Sequence, residues 1–156
     1  MRVKIKGEIF WLWRLIDGKG EEIEVLLQKR RNAQSAIRFL KKALKRTGSP
    51  PRVLITDKLR SYTKAHRVLL KSSGHRSHKR LNNRIENAHQ LTREKERQMR
   101  GFKMPASAQS FILSLGVMLN LLKVGRYKHK TKDYRGKLKN ALNSFNEIVN
   151  SYHHYA

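Results

Sequence analysis

Residues 3–27 read VKIKGEIFWLWRLIDGKGEEIEVLL, and the hydrophobic patterns in this stretch decide the front of the fold. Val3 and Ile5 alternate with Lys4 and Lys6 until Gly7 stops the alternation, the period-two signature of a half-buried strand. From Ile9 to Ile16 both faces are apolar through Phe10, Trp11, Leu12, Trp13 and Leu15, as an interior strand requires. Asp17-Gly18-Lys19-Gly20 then closes it, with Asp17 as the first residue of the turn. Ile23, Val25 and Leu27 mark one face of a third strand, and three strands joined by tight turns predict an antiparallel meander. Trp11 and Trp13 share one face of the middle strand, where core packing explains them better than base stacking.

Beyond the meander the period becomes helical. Ala36, Ile37, Leu40, Ala43 and Leu44 fall at steps of three and four, opposite Arg38, Lys41, Lys42, Lys45 and Arg46, and Gly48, Pro50 and Pro51 end the helix. Val53-Leu54-Ile55-Thr56 reads as a short buried strand ending at Asp57. A helix from Leu59 to Leu70, a break at Ser72-Ser73-Gly74 and a long polar helix from Leu81 to Met99 follow. Leu138, Ala141, Leu142, Phe145, Ile148, Val149 and Tyr152 form an apolar stripe on a last helix. The order is three strands, a helix, a strand, then mostly helices.

With 156 residues, 38% of them hydrophobic, the chain can build one domain with a proper core. Its net charge of +25 makes nucleic acid the leading partner, with acid-free basic faces at Lys29 to Arg46 and Lys123 to Lys132. An anionic membrane surface is the rival, but no basic amphipathic helix displays aromatics. The absence of cysteine excludes disulfides and thiolate metal sites. No signal peptide is visible at the N-terminus, and the apolar stretch Phe111 to Leu122, interrupted by Ser114, Gly116 and Asn120, predicts a core helix too short to span a bilayer.

Charge also isolates a candidate site. Between Val25 and Ile85 stand eighteen Lys and Arg residues and a single carboxylate, Asp57, and the next acid along the chain is Glu86. Two acids presented by a strand end and a helix, inside that much positive charge, suggest a divalent metal beside a polyanion. On the helix, Glu86 has Asn82 and Asn83 one turn before it, His89 and Gln90 one turn after, and Arg93 and Arg97 farther along, with Leu81, Ile85 and Ala88 as the apolar side. A solvated helix face is the plain alternative. His75, His78 and His89 invite a zinc reading, but no cysteine assists them and the break at Ser73-Gly74 spoils their convergence. Glu94 and Glu96 are explained as partners of nearby basic residues.

Three segments, VLITDKLRSY (53–62), HRSHKRLNNRIENAHQLTRE (75–94) and RQMRGFKMPASAQSF (97–111), resemble the catalytic domain of DDE transposases of the insertion-sequence-6 family. VKIKGEIFWLWRLIDGKGEEIEVLLQKRRN (3–32) resembles the family's opening strands. The resemblance implies an α/β ribonuclease-H-like fold: a three-stranded antiparallel meander extended by parallel strands, helices on both faces and a helical C-terminus. The strand at Val3 to Lys6 would then run parallel to Val53 to Thr56 and wall the cleft. Residues 1–125 would be the catalytic domain, and 126–156 a basic linker with a C-terminal amphipathic helix.

The implied activity is Mg2+- or Mn2+-dependent DNA cleavage and strand transfer at a two-metal site, on transposon ends and target DNA, by a homo-oligomer of the bacterial cytoplasm and nucleoid with no membrane role. Asp57 matches the family's second Asp and Glu86 its Glu, as catalytic and metal-binding residues. Lys58, Arg84, His89, Arg93, Arg97 and Arg100 become DNA-contact candidates, with Arg84, His89 and Arg93 near the cleft rim. The first Asp falls upstream of Met1, and Glu8, at the opposite end of that strand, is a poor substitute. The expectation is therefore a truncated transposase, inactive alone, or else a catalytically inactive basic DNA-binding protein that interferes with an intact transposase.

Overall fold

The computed structural model describes residues 1–77, 83–122 and 130–153. Its front is the meander that the periodicity predicts: β1 (Arg2–Ile5), β2 (Glu8–Ile16) and β3 (Glu22–Gln28), antiparallel and in the order β1-β2-β3. The first turn is only Lys6-Gly7, and both residues have positive φ, 47° and 86°, as a two-residue hairpin needs to follow the strand twist. At the second turn Asp17 Oδ1 accepts the N–H groups of Lys19 and Glu21, each at 2.8 Å.

Alternation along β2 sends side chains to two cores. Phe10 and Leu12 join Val3, Ile5 and Val25 against Phe102, Ala108 and Ile112, while Trp13 faces Ala36, Phe39, Leu40, Leu54, Ala65 and Leu70. Helices therefore cover both faces of the meander. On the Trp13 side lies α1 (Ala33–Thr47), started by Asn32, whose side chain accepts the Ser35 N–H at 2.9 Å, and ended by Gly48 at φ 73°. Phe39 is fully buried on α1, whereas Ile37 and Leu44 of the predicted stripe only pack partly against the cluster.

β4 (Val53–Thr56) pairs in parallel with β5 (Gly74–Ser77), and α2 (Arg60–Leu69) connects them. β5 begins at Gly74, directly after the turn through Ser72-Ser73 that the sequence predicts: its residues, Gly-His-Arg-Ser, bury little, so backbone pairing with β4 holds a strand that has no hydrophobic signature. The meander and the β4–β5 pair are separate ladders, and β1 is not hydrogen-bonded to β4, unlike the single extended sheet expected. Met1 pairs with Leu12 through bonds of 2.9 and 2.8 Å, and β2 meets β4 through side chains, Trp13 with Leu54, rather than through a backbone ladder.

The helical remainder is α3 (Asn83–Gln98), α4 (Pro105–Leu122) and α5 (Thr131–His153), and the chain divides into compact units Met1–Leu113 and Ser114–Ala156. In the first unit, α3 buries His89 and Thr92, whereas Ile85 and Ala88, on the predicted apolar side, are half-buried. Arg100 and Gly101, both at positive φ, close α3 as the Gly101 N–H reaches back to the Glu96 carbonyl. α4 starts at Pro105 and has 18 residues, so it exceeds the expected apolar stretch; by length and composition alone it could cross a membrane, yet Ala108 and Ile112 are sealed in the first core. In the second unit Leu115 is buried, Leu138, Ala141 and Phe145 of α5 are half-buried, and Leu142 is exposed. His78, Leu81, Asn82 and the basic segment 123–129 lie outside the described residues, as do the side chains of Lys132, Ile148, Val149 and Tyr152.

Candidate active site

β4 delivers Asp57 from its C-terminal end, anchored by buried Leu54 and Thr56. The Thr56 hydroxyl donates to the Asp57 carbonyl at 2.9 Å; its one proton being used there, it accepts from His75 Nε2 of β5, also at 2.9 Å. The Asp57 carboxylate is oriented at both oxygens. Oδ1 accepts the Leu59 N–H at 3.1 Å and Oδ2 accepts from Arg31 Nη2 at 3.2 Å.

Glu86 is exposed in the first turn of α3, where the unpaired N–H groups of the helix favour a negative charge. Arg14 of β2 pins this helix to the meander. Its side chain is buried, with Nη2 donating to Thr92 Oγ1 at 2.9 Å and Nε 2.6 Å from Glu22 Oε2. Burial lowers the Arg14 pKa and raises that of Glu22, and in each case the partner's opposite charge works against the shift. Removing either partner would strand a buried charge.

Asp57 and Glu86 line one cavity of about 170 Å³, together with Met1, Arg14, Arg31, His89 and Arg93. His89 is buried, and its Nδ1 has no hydrogen-bond partner among the described residues. Desolvation, reinforced by the Met1 amine, Arg14 and Arg93, drops its pKa to about 3, so the ring is neutral at physiological pH. Burial, with Arg31 as the next cause, also lowers the Met1 amine to about 6.

The other sequence candidates scatter. Lys58, Arg93, Arg97 and Arg100 are exposed, and of these Arg93 lines the cavity. Arg84 turns instead to the carbonyls of Asp17 and Gly18 at the second hairpin and lines a different cavity of about 730 Å³. His89 sits buried and neutral, so it offers no charge to a phosphate at the rim. Glu8 pairs with Lys29 at 2.8 Å and is not among the residues lining the cavity around Asp57. Arg14 and Arg31 are the site residues that the sequence reading passes over, although a lone arginine inside an otherwise apolar strand was a usable signal for the first.

Among the described residues no group of three His, Asp or Glu side chains could hold an ion. Two carboxylates on one cavity nevertheless suit Mg2+, which binds through one or two carboxylates and completes its octahedron with waters and substrate phosphates.

A meander with helices on both faces, with the strand-end Asp57 and the helix Glu86 lining one cavity, is an α/β arrangement of the ribonuclease-H-like kind. Its fold is that of a chain in the cryo-EM structure of a simian T-cell lymphotropic virus intasome in complex with PP2A regulatory subunit B56 gamma: TM-score 0.54, 18% identity, 80% of this chain and 46% of that one. The family model of the IS240-type transposase DDE domain matches residues 1–125. The chain belongs to the DDE transposases of the insertion-sequence-6 family. Among curated relatives, the Staphylococcus aureus (strain Mu50 / ATCC 700699) transposase for insertion sequence-like element IS431mec is 37% identical over 92 residues, 56% of this chain. The transposase for insertion sequence element IS257 in transposon Tn4003, also from Staphylococcus aureus, matches equally well. The match spans 41% of the length of each of these relatives.

Proposed function

We propose that this cleft carries out metal-dependent phosphoryl transfer on DNA, the cleavage and strand transfer of transposition, with Asp57 and Glu86 as the metal ligands this chain contributes. One observation carries the reading: a strand-end carboxylate and a helix carboxylate, far apart in sequence, line one cavity of a chain with net charge +25. The chemistry a bound Mg2+ or Mn2+ supplies is activation of water or a 3′-hydroxyl and stabilisation of the leaving oxygen in an in-line displacement. The protein's own groups prepare for that. The Leu59 N–H orients Asp57, the first turn of α3 presents Glu86, and Arg93, Lys58, Arg97 and Arg100 are exposed to receive phosphates. The substrates on this reading are transposon ends and target DNA, engaged by an oligomer.

A two-ion site takes a further carboxylate, and the register of the meander supports its entry from the end of β1. With Met1 opposite Leu12, a residue preceding Met1 falls opposite Trp13 and the one before it opposite Arg14, and both of those line the cavity. An Asp carried there would stand near Asp57. A second reading is DNA binding without cleavage by residues 1–156, for which the net charge of +25 speaks.

Both readings meet in one experiment. The polypeptide 1–156 with Mg2+ or Mn2+ should neither cleave nor join DNA carrying transposon ends. An upstream extension bearing the Asp, with a DNA-binding region, should recover cleavage that Asp57→Asn or Glu86→Gln abolishes. Cleavage by the extended protein that survives Asp57→Asn would overturn the ligand assignment.

A further inference from the structure

Arg31 occupies one carboxylate oxygen of Asp57. Its Nη2 lies 3.2 Å from Asp57 Oδ2, while Oδ1 is already held by the Leu59 N–H. The same guanidinium rests over the Trp11 ring, 4.8 Å from its centroid. The two side chains are 39% and 45% exposed, which makes the ion pair a screened and weak one, open to exchange. The backbone beneath is fixed: Asn32 caps α1, and the Arg31 carbonyl accepts from Ser61 Oγ at 3.4 Å. Only the side chain has to move, and Trp11 offers it a resting contact when the ion pair breaks.

We propose that Arg31 is an exchangeable counter-ion: it neutralises Asp57 in the metal-free cleft and, when a divalent cation takes that carboxylate, is released to a DNA phosphate at the same cleft. This rests on Asp57 being a metal ligand. A guanidinium and a divalent cation on one carboxylate oxygen repel each other, so one displaces the other. The freed guanidinium is a planar fork that matches two phosphate oxygens. Metal binding and DNA binding are thereby coupled through a single positioning residue, and the coupling is reciprocal.

The test follows free Mn2+ by electron paramagnetic resonance during titration of polypeptide 1–156 without DNA, with thermal melts confirming that each variant is folded. Arg31→Ala should bind Mn2+ about two- to fivefold more tightly, the worth of an exposed ion pair removed from competition. Arg31→Lys, which keeps the charge, should stay near wild type. In DNA binding, the salt slope of Arg31→Ala should be smaller than wild type by about one with Mg2+ present, and equal to wild type in EDTA. A merely structural residue would give the same slope difference in both buffers. Unchanged or weaker Mn2+ binding by Arg31→Ala, or a slope difference indifferent to Mg2+, overturns the proposal. Mn2+ binding that survives Asp57→Asn strikes at a different point, the ligand assignment on which the proposal rests.

Discussion

Affinity for duplex DNA should fall roughly 10³- to 10⁵-fold between about 50 and 200 mM salt, with little sequence preference, on the basis of about six to ten phosphate contacts. The motive is the net charge of +25, but the structure changes where that charge is available. The segment Lys29 to Arg46, acid-free in sequence, meets carboxylates from the meander: Lys42 and Arg46 of α1 lie 3.1 and 3.7 Å from buried Glu24, and Lys29, ahead of the helix, lies 2.8 Å from Glu8. Arg38, Lys41 and Lys45 remain exposed on α1, and Arg93, Arg97 and Arg100 on or just beyond α3. Neutralising Arg93, Arg97 and Arg100 together should therefore reduce the salt slope more than neutralising Lys42 and Arg46. Filter-binding titrations measure this, and an affinity flat across the salt range would contradict it.

Acidification from pH 7 to pH 4 should remove about 3 kcal/mol of folding stability through His89 alone. Its folded pKa of about 3 lies below the 6.5 of the free side chain, because burial and the neighbouring cations disfavour the charged ring. The unfolded chain therefore takes up the proton first as pH falls. The contribution is complete above about pH 6.5, is lost progressively below it, and levels off near pH 3, where the folded state also protonates. Urea unfolding of wild type and His89→Gln across this range isolates the residue, since the carboxylates titrate in both. Parallel pH profiles for the two proteins would show that His89 is not held neutral by the fold.

How much of this was legible in the sequence follows from what kinds of force leave a pattern. β1, β3 and α1 carry a periodic apolar set, and β2 and β4 a continuous apolar run; both kinds of signal are visible in single letters. β5 is held by its backbone ladder, so Gly-His-Arg-Ser carries no strand pattern in single letters. The buried side of α3 is polar, His89 and Thr92, because the partner awaiting it on β2 is Arg14 rather than an aliphatic side chain. Hydrophobic patterning assigns such a face to solvent. Asp57 and Glu86 stood out as isolated acids in a basic segment, but charge in one dimension does not say which arginine turns where. Arg31 folds back onto Asp57, while Arg84, two residues before Glu86, reaches away to the second hairpin.

The proposal that Asp57 and Glu86 are the metal ligands of this cleft, holding a first ion between them, is tested most directly by Mn2+ titration of wild type, Asp57→Asn, Glu86→Gln and the double variant. If both carboxylates coordinate the same ion, either single substitution should cost nearly as much affinity as the two together, a strongly non-additive cycle. Losses that simply add, or a single substitution that leaves Mn2+ affinity unchanged, would mean that the two carboxylates do not share a metal.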